Sequence, residues 1–89
     1  MEFEWDPDKA AANLRKHGVS FEIATQVFFD ENAVFEDDPY AQGEYRQTVT
    51  GYSDLGILLV VFTERHLDVI RIISAREASR HERRQYGAL

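Results

Sequence analysis

The chain has 89 residues and a formal net charge of -6, and 44% of its residues are apolar. This size fits a single domain over residues 1–89, and the apolar content excludes a disordered chain. The absence of cysteine excludes disulfides, thiolate nucleophiles and thiolate metal sites. The sequence shows neither a secretion signal nor an apolar run of membrane-spanning length, so we expect a soluble, cytoplasmic protein with no membrane partner.

The chain begins with a predicted strand and a first helix. Phe3 and Trp5 alternate with acidic residues, as in a short half-buried strand. Asp6-Pro7 then predicts a helix start, because the Asp side chain can accept from first-turn amides and Pro is preset for the first helical position. Gly18 predicts the end of this helix. Four residues are expected on its apolar face: Ala10, Ala11, Leu14 and His17.

A second helix and then a series of strands are predicted next. Ser20 starts the helix, which ends near Asn32. Its apolar stripe is expected to comprise Phe21, Ala24, Val27 and Phe28. Strands are predicted at residues 33–35, 45–52, 57–63 and 68–73, with a loop at residues 36–43. The short connections predict antiparallel pairing, because parallel neighbours need a crossover of about a dozen residues or more.

A terminal helix is predicted to follow the last strand. Ser74-Ala75-Arg76-Glu77 matches a capping box, in which the hydroxyl and the carboxylate satisfy first-turn amides reciprocally. The predicted fold is therefore α+β: a short N-terminal strand, two helices, an antiparallel β-meander and a C-terminal helix.

Charge is unevenly distributed along this chain. Residues 30–44 carry a charge of -6 without any Lys or Arg, whereas residues 65–89 carry six arginines and a charge of +3. A guanidinium offers a rigid fork of donors that matches phosphate oxygens, so the arginines indicate a phosphate-binding surface. The plain alternative is a solvated arginine-rich helix.

Five blocks of sequence, which follow one another along nearly the whole chain, resemble the BrnT family of toxins. They are Phe3-Glu4-Trp5-Asp6-Pro7, Lys16-His17-Gly18-Val19-Ser20-Phe21, Gly43-Glu44-Tyr45-Arg46, Thr63-Glu64-Arg65 and Arg71-Ile72-Ile73-Ser74-Ala75-Arg76. Each block alone is weak, but the five together make the resemblance specific.

The resemblance implies a ribonuclease toxin of a type II toxin-antitoxin system, with a fold similar to the RelE and ParE toxins. Such a toxin cleaves RNA and inhibits translation until an antitoxin neutralises it. The implied partner is a BrnA-like antitoxin with a ribbon-helix-helix domain. The implied complex contains two toxins on one antitoxin dimer. The toxin would contact DNA only through the antitoxin. Two alternatives remain open: a catalytically inactive binding module and a gyrase-directed toxin of ParE type.

Metal-independent RNA cleavage requires a base for the 2′-hydroxyl, cations for the phosphate and an acid for the leaving oxygen. The candidate catalytic residues are Lys9, Lys16, His17, Arg65 and Arg76. Lys9 and Lys16 lie about two helical turns apart and can point toward one site. Arg65 and Arg76 are expected at opposite ends of one strand, so they can instead track successive phosphates of an extended RNA. The alternatives are a solvated face for both lysines and helix capping for His17.

Further candidates lie in and near the terminal helix. Arg80, Arg83 and Tyr86 are expected to bind phosphate or RNA. Arg71 is expected to pair with Glu64 or Glu44, and His81 with Glu77, which precedes it by one helical turn. No His, Asp and Glu spacing resembles a metal site, so we predict neither a metal nor another cofactor.

Overall fold

The computed structural model describes residues 1–38 and 45–87. Its strands, in chain order, are β1 (Glu2–Glu4), β2 (Val34–Asp37), β3 (Gln47–Ser53), β4 (Gly56–Arg65) and β5 (Val69–Glu77). Its helices are α1 (Pro7–His17), α2 (Phe21–Ala24), a 3₁₀ helix (Thr25–Phe29) and α3 (Arg80–Gly87). These elements occur in the predicted order, and the predicted fold class is confirmed.

The strands form one sheet in the order β1-β5-β4-β3-β2. Neighbouring strands from β2 to β5 are antiparallel, which confirms the predicted meander. β1 instead pairs with β5 in parallel, with Glu2 opposite Val69 and Glu4 opposite Arg71. A parallel pair is possible here because nearly the whole chain lies between the two strands and supplies the crossover.

The predicted starts of the first two helices are confirmed by their caps. The Asp6 carboxylate accepts from the Asp8 amide at 2.8 Å, and the Ser20 hydroxyl accepts from the Ile23 amide at 3.1 Å. Gly18 ends α1 with a φ of 70°, a left-handed conformation that glycine adopts at little cost. The second helix is shorter than predicted, because α2 passes into the 3₁₀ helix at Thr25. There the Thr25 hydroxyl donates to the Glu22 carbonyl at 2.7 Å.

The helices α1 and α2 and the 3₁₀ helix cover one face of the sheet. The core lies between these helices and the sheet, and its buried side chains include Phe21, Val27, Val49, Leu58, Val60, Phe62 and Ile72. The 3₁₀ helix lies directly on β3 at Gly51, where an added Cβ would come within 3.0 Å of both the Cβ and the carbonyl oxygen of Val27. A larger residue at this position would require the 3₁₀ helix to move away from the strand by a few tenths of an ångström. We call the opposite face, which carries Thr48, Leu59 and Arg76, the open face.

The predicted ends of two strands, β2 and β5, need correction. The strand predicted at residues 33–35 is β2, which extends through Glu36 and Asp37, whereas the sequence placed a loop there. Residues 39–43 of that predicted loop, and Gly43-Glu44 of the family-like blocks, lie outside the described residues.

The larger error concerns the start of the terminal helix. Residues 74–77 were predicted to begin it, but they extend β5 and pair with β4, Arg76 lying opposite Leu59. The capping box that forms lies five residues later, between Ser79 and Glu82. The Ser79 hydroxyl accepts from the Glu82 amide at 3.2 Å, and the Glu82 carboxylate accepts from the Ser79 amide at 2.8 Å. Both segments match the motif, and pairing with β4 decides between them.

The buried face of α1 is also different from the predicted one. Leu14 is 51% exposed, whereas Asn13 is only 7% exposed. The Asn13 amide nitrogen donates to the carbonyls of Ala75 and Val19 at 2.8 and 3.0 Å, and its oxygen accepts from the Ala75 amide at 3.1 Å. Because β1 pairs with β5 only as far as Arg71, the outer edge of β5 beyond it needs other partners. Asn13 supplies them at Ala75.

Asp30 connects α3 to the sheet. Its carboxylate accepts from the amides of Asn32 and Tyr52 at 2.9 and 2.8 Å and from the Tyr86 hydroxyl at 2.5 Å. Partial burial raises the pKa of Asp30, but the hydrogen bonds from Tyr86, Asn32 and Tyr52 outweigh it, and the pKa is lowered from its ordinary 3.8. The folded protein therefore stabilises the ionised form of the Asp30 carboxylate.

We expect Asn13→Ala to lower the free energy of unfolding by about 3 kcal/mol, because it leaves a buried amide and two carbonyls without their partner. The measurement is urea unfolding followed by circular dichroism. Asn32→Ala is the matched control, since the Asn32 side chain is exposed, and it should change stability by less than about 0.5 kcal/mol. Equal effects of the two substitutions would contradict the role given to Asn13.

A second prediction concerns the stability of the protein in acid. As the pH falls below about 3.8, the unfolded chain binds a proton at Asp30 before the folded protein does, so this contribution is lost as the pH falls through the lower folded pKa. Asp30→Asn should therefore be less stable than the wild type at pH 7, and this difference should shrink toward pH 3. Tyr86→Phe, which removes one of three hydrogen bonds, should give an intermediate difference in urea midpoints measured across this range. A difference independent of pH would refute the assignment.

Candidate functional site

The open face contains a cavity of about 590 Å³ between the strands and α3. It is lined by residues of β2 to β5 and by one side of α3. These are Glu36, Asp37, Asp38, Arg46, Thr48, Leu59, Val61, Ile73, Ser74, Arg76, His81, Glu82 and Gln85. We call it the open-face cavity. It contains one of the predicted catalytic residues, Arg76.

Arg76 is held in one orientation by Glu82. Its Nη1 and Nη2 donate to Oε1 and Oε2 of the Glu82 carboxylate at 2.8 and 2.9 Å, and Nη1 also donates to the Glu77 carbonyl at 3.0 Å. The Arg76 side chain remains 40% exposed. A bidentate pair of this kind fixes the guanidinium plane as well as its position.

The pairing leaves part of the guanidinium available. Three of its five N–H donors are taken, and the remaining two, on Nε and on Nη2, point in the same direction as one fork. Within the described part of the chain, neither has a hydrogen-bond partner. Such a fork matches two oxygens of a phosphate. Arg76 can therefore bind a phosphate while it stays paired to Glu82.

Both members of the pair are ionised over a wide pH range. The hydrogen bonds with Glu82 raise the pKa of Arg76 against the opposing effect of burial. The hydrogen bonds from Arg76 lower the pKa of Glu82, again against burial and with help from the Ser79 amide. Glu82 thus joins the capping box of α3 to the orientation of Arg76.

His81 enters the open-face cavity beside Glu82. The sequence predicted a pair between His81 and Glu77 one turn apart on a helix, but Glu77 ends β5 and α3 begins at Arg80. This prediction was wrong because the helix starts later than expected. His81 lines the cavity from the first turn of α3, with Gln85 one turn further along. An imidazole in this position can exchange protons with a molecule bound at Arg76.

A second arginine and an acidic wall complete the open-face cavity. Arg46 precedes β3, and its Nε lies 3.6 Å from a carboxylate oxygen of Asp38, too far for a hydrogen bond. This buried Nε has no hydrogen-bond partner within the described residues. Glu36 and Asp37 lie on the same side of the cavity, on β2. The cavity therefore presents both arginines next to carboxylates, Arg46 beside Asp38 and Arg76 paired with Glu82.

The predicted residues of α1 lie along a second, smaller cavity. Lys9, Lys16 and His17 line a space of about 220 Å³ together with Ile73 and Ser74. Ile73 and Ser74 also line the open-face cavity, so the two spaces meet at these residues. A bulge makes this possible: Val61 pairs with Ser74 and Phe62 with Ile72, which leaves Ile73 as the extra residue. The fold thus brings the cations of α1 to the edge of the cavity that contains Arg76.

Four other predicted site residues do not join this cluster. Arg65 ends β4 opposite Val69, seven residues from Arg76 along β5, or roughly 23 Å at about 3.3 Å per residue. Arg80 and Arg83 are exposed on α3. Tyr86 is half-buried and donates its hydroxyl to Asp30, which gives it a structural role.

Arg71 is a structural residue, as predicted, but its partner is different. Its Nη1 donates to the Glu4 carboxylate at 2.8 Å, across the parallel pair of β1 and β5. The predicted partner Glu64 lies on β4, and Glu44 lies outside the described residues. The pairing of β1 with β5, which the sequence analysis did not foresee, explains the difference.

Sequence reasoning missed Glu82, His81 and Arg46 as members of the candidate site. Glu82 carried a readable signal, because Ser79 and Glu82 have the spacing of a capping box. Nothing in the spacing of His81 or Arg46 shows that they enter the same cavity as Arg76. That proximity depends on the packing of α3 across the open face.

Neither a metal-ligand cluster nor a membrane-spanning helix occurs among the described residues. Across residues 1–38 and 45–87, His, Asp and Glu side chains form no group of three that could hold a metal ion. None of the helices described is long and apolar enough to cross a membrane.

Comparison with known proteins agrees with the fold and with the family-like blocks. The family model of the ribonuclease toxin BrnT of type II toxin-antitoxin systems matches residues 5–82. The crystal structure of the ribonuclease toxin BrnT from Brucella abortus is 27% identical in sequence, with a TM-score of 0.68 over 90% of this chain and 99% of that one. A search of curated proteins found no match. The chain belongs to the BrnT family of ribonuclease toxins of type II toxin-antitoxin systems.

Proposed function

We propose that this protein is a metal-independent endoribonuclease whose active site is the open-face cavity together with the adjoining edge of α1. The observation that carries the proposal is the orientation of Arg76, which Glu82 fixes while its Nε and Nη2 donors stay available, in a cavity that His81 also lines. Cleavage of RNA would inhibit translation in the cell. Membership of a ribonuclease toxin family supports the choice of RNA as substrate.

The proposed reaction is transfer of the phosphodiester to the neighbouring 2′-oxygen. A base takes the proton of the 2′-hydroxyl, the 2′-oxygen bonds to phosphorus, and the bond to the 5′-oxygen breaks as an acid protonates that oxygen. Arg76 binds the phosphate and stabilises the charge that develops on it. Lys9 and Lys16 add positive charge from the other side of Ile73 and Ser74. These cations supply the electrostatic stabilisation that a metal ion gives in other nucleases.

Two histidines are available for the proton transfers. His81 lines the open-face cavity, and His17 lines the adjoining space along α1. They approach the shared residues Ile73 and Ser74 from different elements, as an acid and a base on opposite sides of a phosphodiester require. We propose that one acts as the base and the other as the acid, with Lys16 as the alternative to His17.

The remaining predicted cations contact RNA outside the reacting group in this proposal. Arg80 and Arg83 are exposed on α3, next to the cavity wall that His81 and Glu82 form. Arg65 lies at the far end of the sheet, so it can contact only a distant phosphate of an extended strand.

The proposed regulator is a BrnA-like antitoxin that covers the open-face cavity and represses its promoter through a DNA-binding domain. Its acidic or polar residues would meet Arg76 and Arg80, because these cations must be satisfied when water is displaced. Two toxins on one antitoxin dimer is the proposed assembly. Membership of a type II toxin family supports a dedicated antitoxin partner.

Cleavage of RNA in the presence of EDTA tests the proposed function, with variants that separate the arginines. We expect the wild type to cut RNA in EDTA and Arg76→Ala to lose about 100-fold or more in kcat/KM, because the contact acts in the transition state. Arg65→Ala is the matched control and should lose less than about tenfold. Each variant is compared with the wild type by circular dichroism.

Two results of this experiment would count against the proposal. Absence of cleavage under all conditions would favour a binding module that docks nucleic acid or an acidic partner without cutting it. Full activity of folded Arg76→Ala would remove Arg76 from the site. Glu82→Gln provides a further check, because it keeps a side chain of the same size but loses the ion pair. We expect it to lower kcat by about tenfold while α3 stays helical.

The roles of the histidines predict a change in pH dependence. If His81 and His17 exchange protons with RNA, His81→Asn and His17→Asn should each flatten one limb of the pH profile of kcat/KM. A residue that only binds RNA would lower the rate equally at all pH values. The measurement is single-turnover cleavage of one oligoribonucleotide between pH 5 and pH 9. A parallel downward shift in both variants would exclude the histidines and direct the same test to Lys16 and Lys9.

A further inference from the structure

A groove on the helix-covered face of the sheet, near the turn between β4 and β5, has an apolar lining. Its volume is about 300 Å³, and its apolar lining consists of Met1, Phe28, Phe35, Phe62 and Ile70. Met1 is 62% exposed and Phe35 is 52% exposed. We call this space the apolar groove. It lies on the face of the sheet opposite the open-face cavity.

The groove is open because no helix covers this end of the sheet. The 3₁₀ helix ends at Phe29, and α1 packs beside the other end of β5, at Ala75. The aromatic floor is preformed: the ring centroids of Phe28 and Phe62 are 5.0 Å apart, and that of Phe35 lies 6.3 and 6.1 Å from them. Exposed apolar surface of this kind, bordered by polar residues, is typical of an interaction site.

The border of the apolar groove is acidic. Glu64 and Asp68 line it, and no Lys or Arg is found among the described residues that do so. The charge at the described border of the groove is therefore negative.

We propose that the apolar groove binds a basic amphipathic segment of the cognate antitoxin. A large apolar side chain of that segment packs between Phe35 and Ile70, and flanking Lys or Arg residues meet Glu64 and Asp68. The proposal rests on the proposed function, because it takes the antitoxin as partner. It adds a second contact, on a different face from the open-face cavity, at a groove whose described lining, unlike that of the cavity, contains no arginine.

The charge of the border decides among possible occupants. RNA and an anionic membrane surface both carry negative charge and are repelled by Glu64 and Asp68, because no Lys or Arg in the described lining of the groove offsets these acids, as Arg46 and Arg76 do in the open-face cavity. A second copy of this chain fits poorly as well, because its net charge is -6 and a symmetric contact would bring like charges together. A basic protein segment satisfies both the apolar floor and the acidic border.

A contact at this position has a consequence for regulation. The groove is remote from Arg76, so a segment bound there holds the antitoxin without occupying the active site. A separate part of the antitoxin can then cover the open-face cavity at high effective concentration. Weakening the groove should therefore release active toxin.

Four variants of the full chain test the proposal, with the purified antitoxin as the probe. Phe35→Lys places a charge in the groove, and Glu64→Lys reverses the charge of its border. Leu55→Lys and Glu31→Lys are matched controls, since Leu55 is 51% exposed in the β3–β4 turn and Glu31 is an exposed acid outside the groove. The measurements are the Kd for antitoxin at low and high salt and RNA cleavage by each free variant.

We expect Phe35→Lys to weaken antitoxin binding by about tenfold or more and Glu64→Lys to weaken it and reduce its salt dependence. The controls should stay within about twofold of the wild type. Cleavage by the free variants should be unchanged, because none of them alters the proposed active site. Urea unfolding establishes that each variant is folded, and Glu64→Lys still decides the question if Phe35→Lys is not.

Several results would overturn the groove proposal. Wild-type affinity for antitoxin in Glu64→Lys and in folded Phe35→Lys would do so directly. A free wild type that dimerises in light scattering and a Phe35→Lys that does not would assign the groove to a second copy. Loss of RNA binding by free Phe35→Lys would assign it to RNA. If the free wild type fails to cleave RNA, the proposed activity fails, while antitoxin binding still decides the role of the groove.

Discussion

The arrangement of the candidate site depends on the hydrogen bonds that the side-chain amide of Asn13 makes. β1 pairs with β5 for only three residues, and beyond that point the edge of β5 needs another partner. Asn13 satisfies both the amide and the carbonyl of Ala75 and binds the Val19 carbonyl as well. The two hydrogen bonds to Ala75 that protect the sheet edge therefore also fix α1 beside β5. In consequence, Lys9, Lys16 and His17 lie next to the bulge at Ile73.

Glu82 has a comparable double role on the other side of the cavity. It begins α3 through the capping box with Ser79 and holds the guanidinium of Arg76 by two hydrogen bonds. Leaving Arg76 unpaired would give a mobile side chain that pays a larger entropic cost on binding phosphate. Glu82 binds the Nη edge of the guanidinium and leaves the Nε edge available. The guanidinium is thus held in one orientation and can still bind a phosphate. The helix and the proposed phosphate site are thus parts of one local structure.

The structure shows where the unevenly distributed charges of the sequence lie in the fold. The arginine excess of residues 65–89 is spread over two strands and a helix, and of these arginines only Arg76 lines the open-face cavity. The acids that line the apolar groove, Glu64 and Asp68, lie close in sequence to Arg65. One face of the sheet thus has a cavity in which arginines accompany the carboxylates, and the other has an apolar groove whose described lining includes carboxylates but no Lys or Arg. An acidic chain of 89 residues can in this way present two surfaces of opposite preference.

The sequence by itself determined the fold class, the order of the elements and the family, because all three depend on local signals. These signals are the caps at Asp6, Gly18 and Ser20, the runs of residues typical of strands, and five short blocks in order. It did not determine where β5 ends, because Ser74 and Ser79 both begin capping-box patterns and only pairing with β4 excludes the first. Tertiary structure alone also decided which face of α1 is buried, since a polar residue is buried there for the hydrogen bonds it makes to a distant strand. His81 and Arg46 could not be predicted to line the same cavity as Arg76. His81 reaches it because α3 packs across the sheet, and Arg46 reaches it because β3 and β5 are both neighbours of β4, so both depend on contacts between residues far apart in the chain.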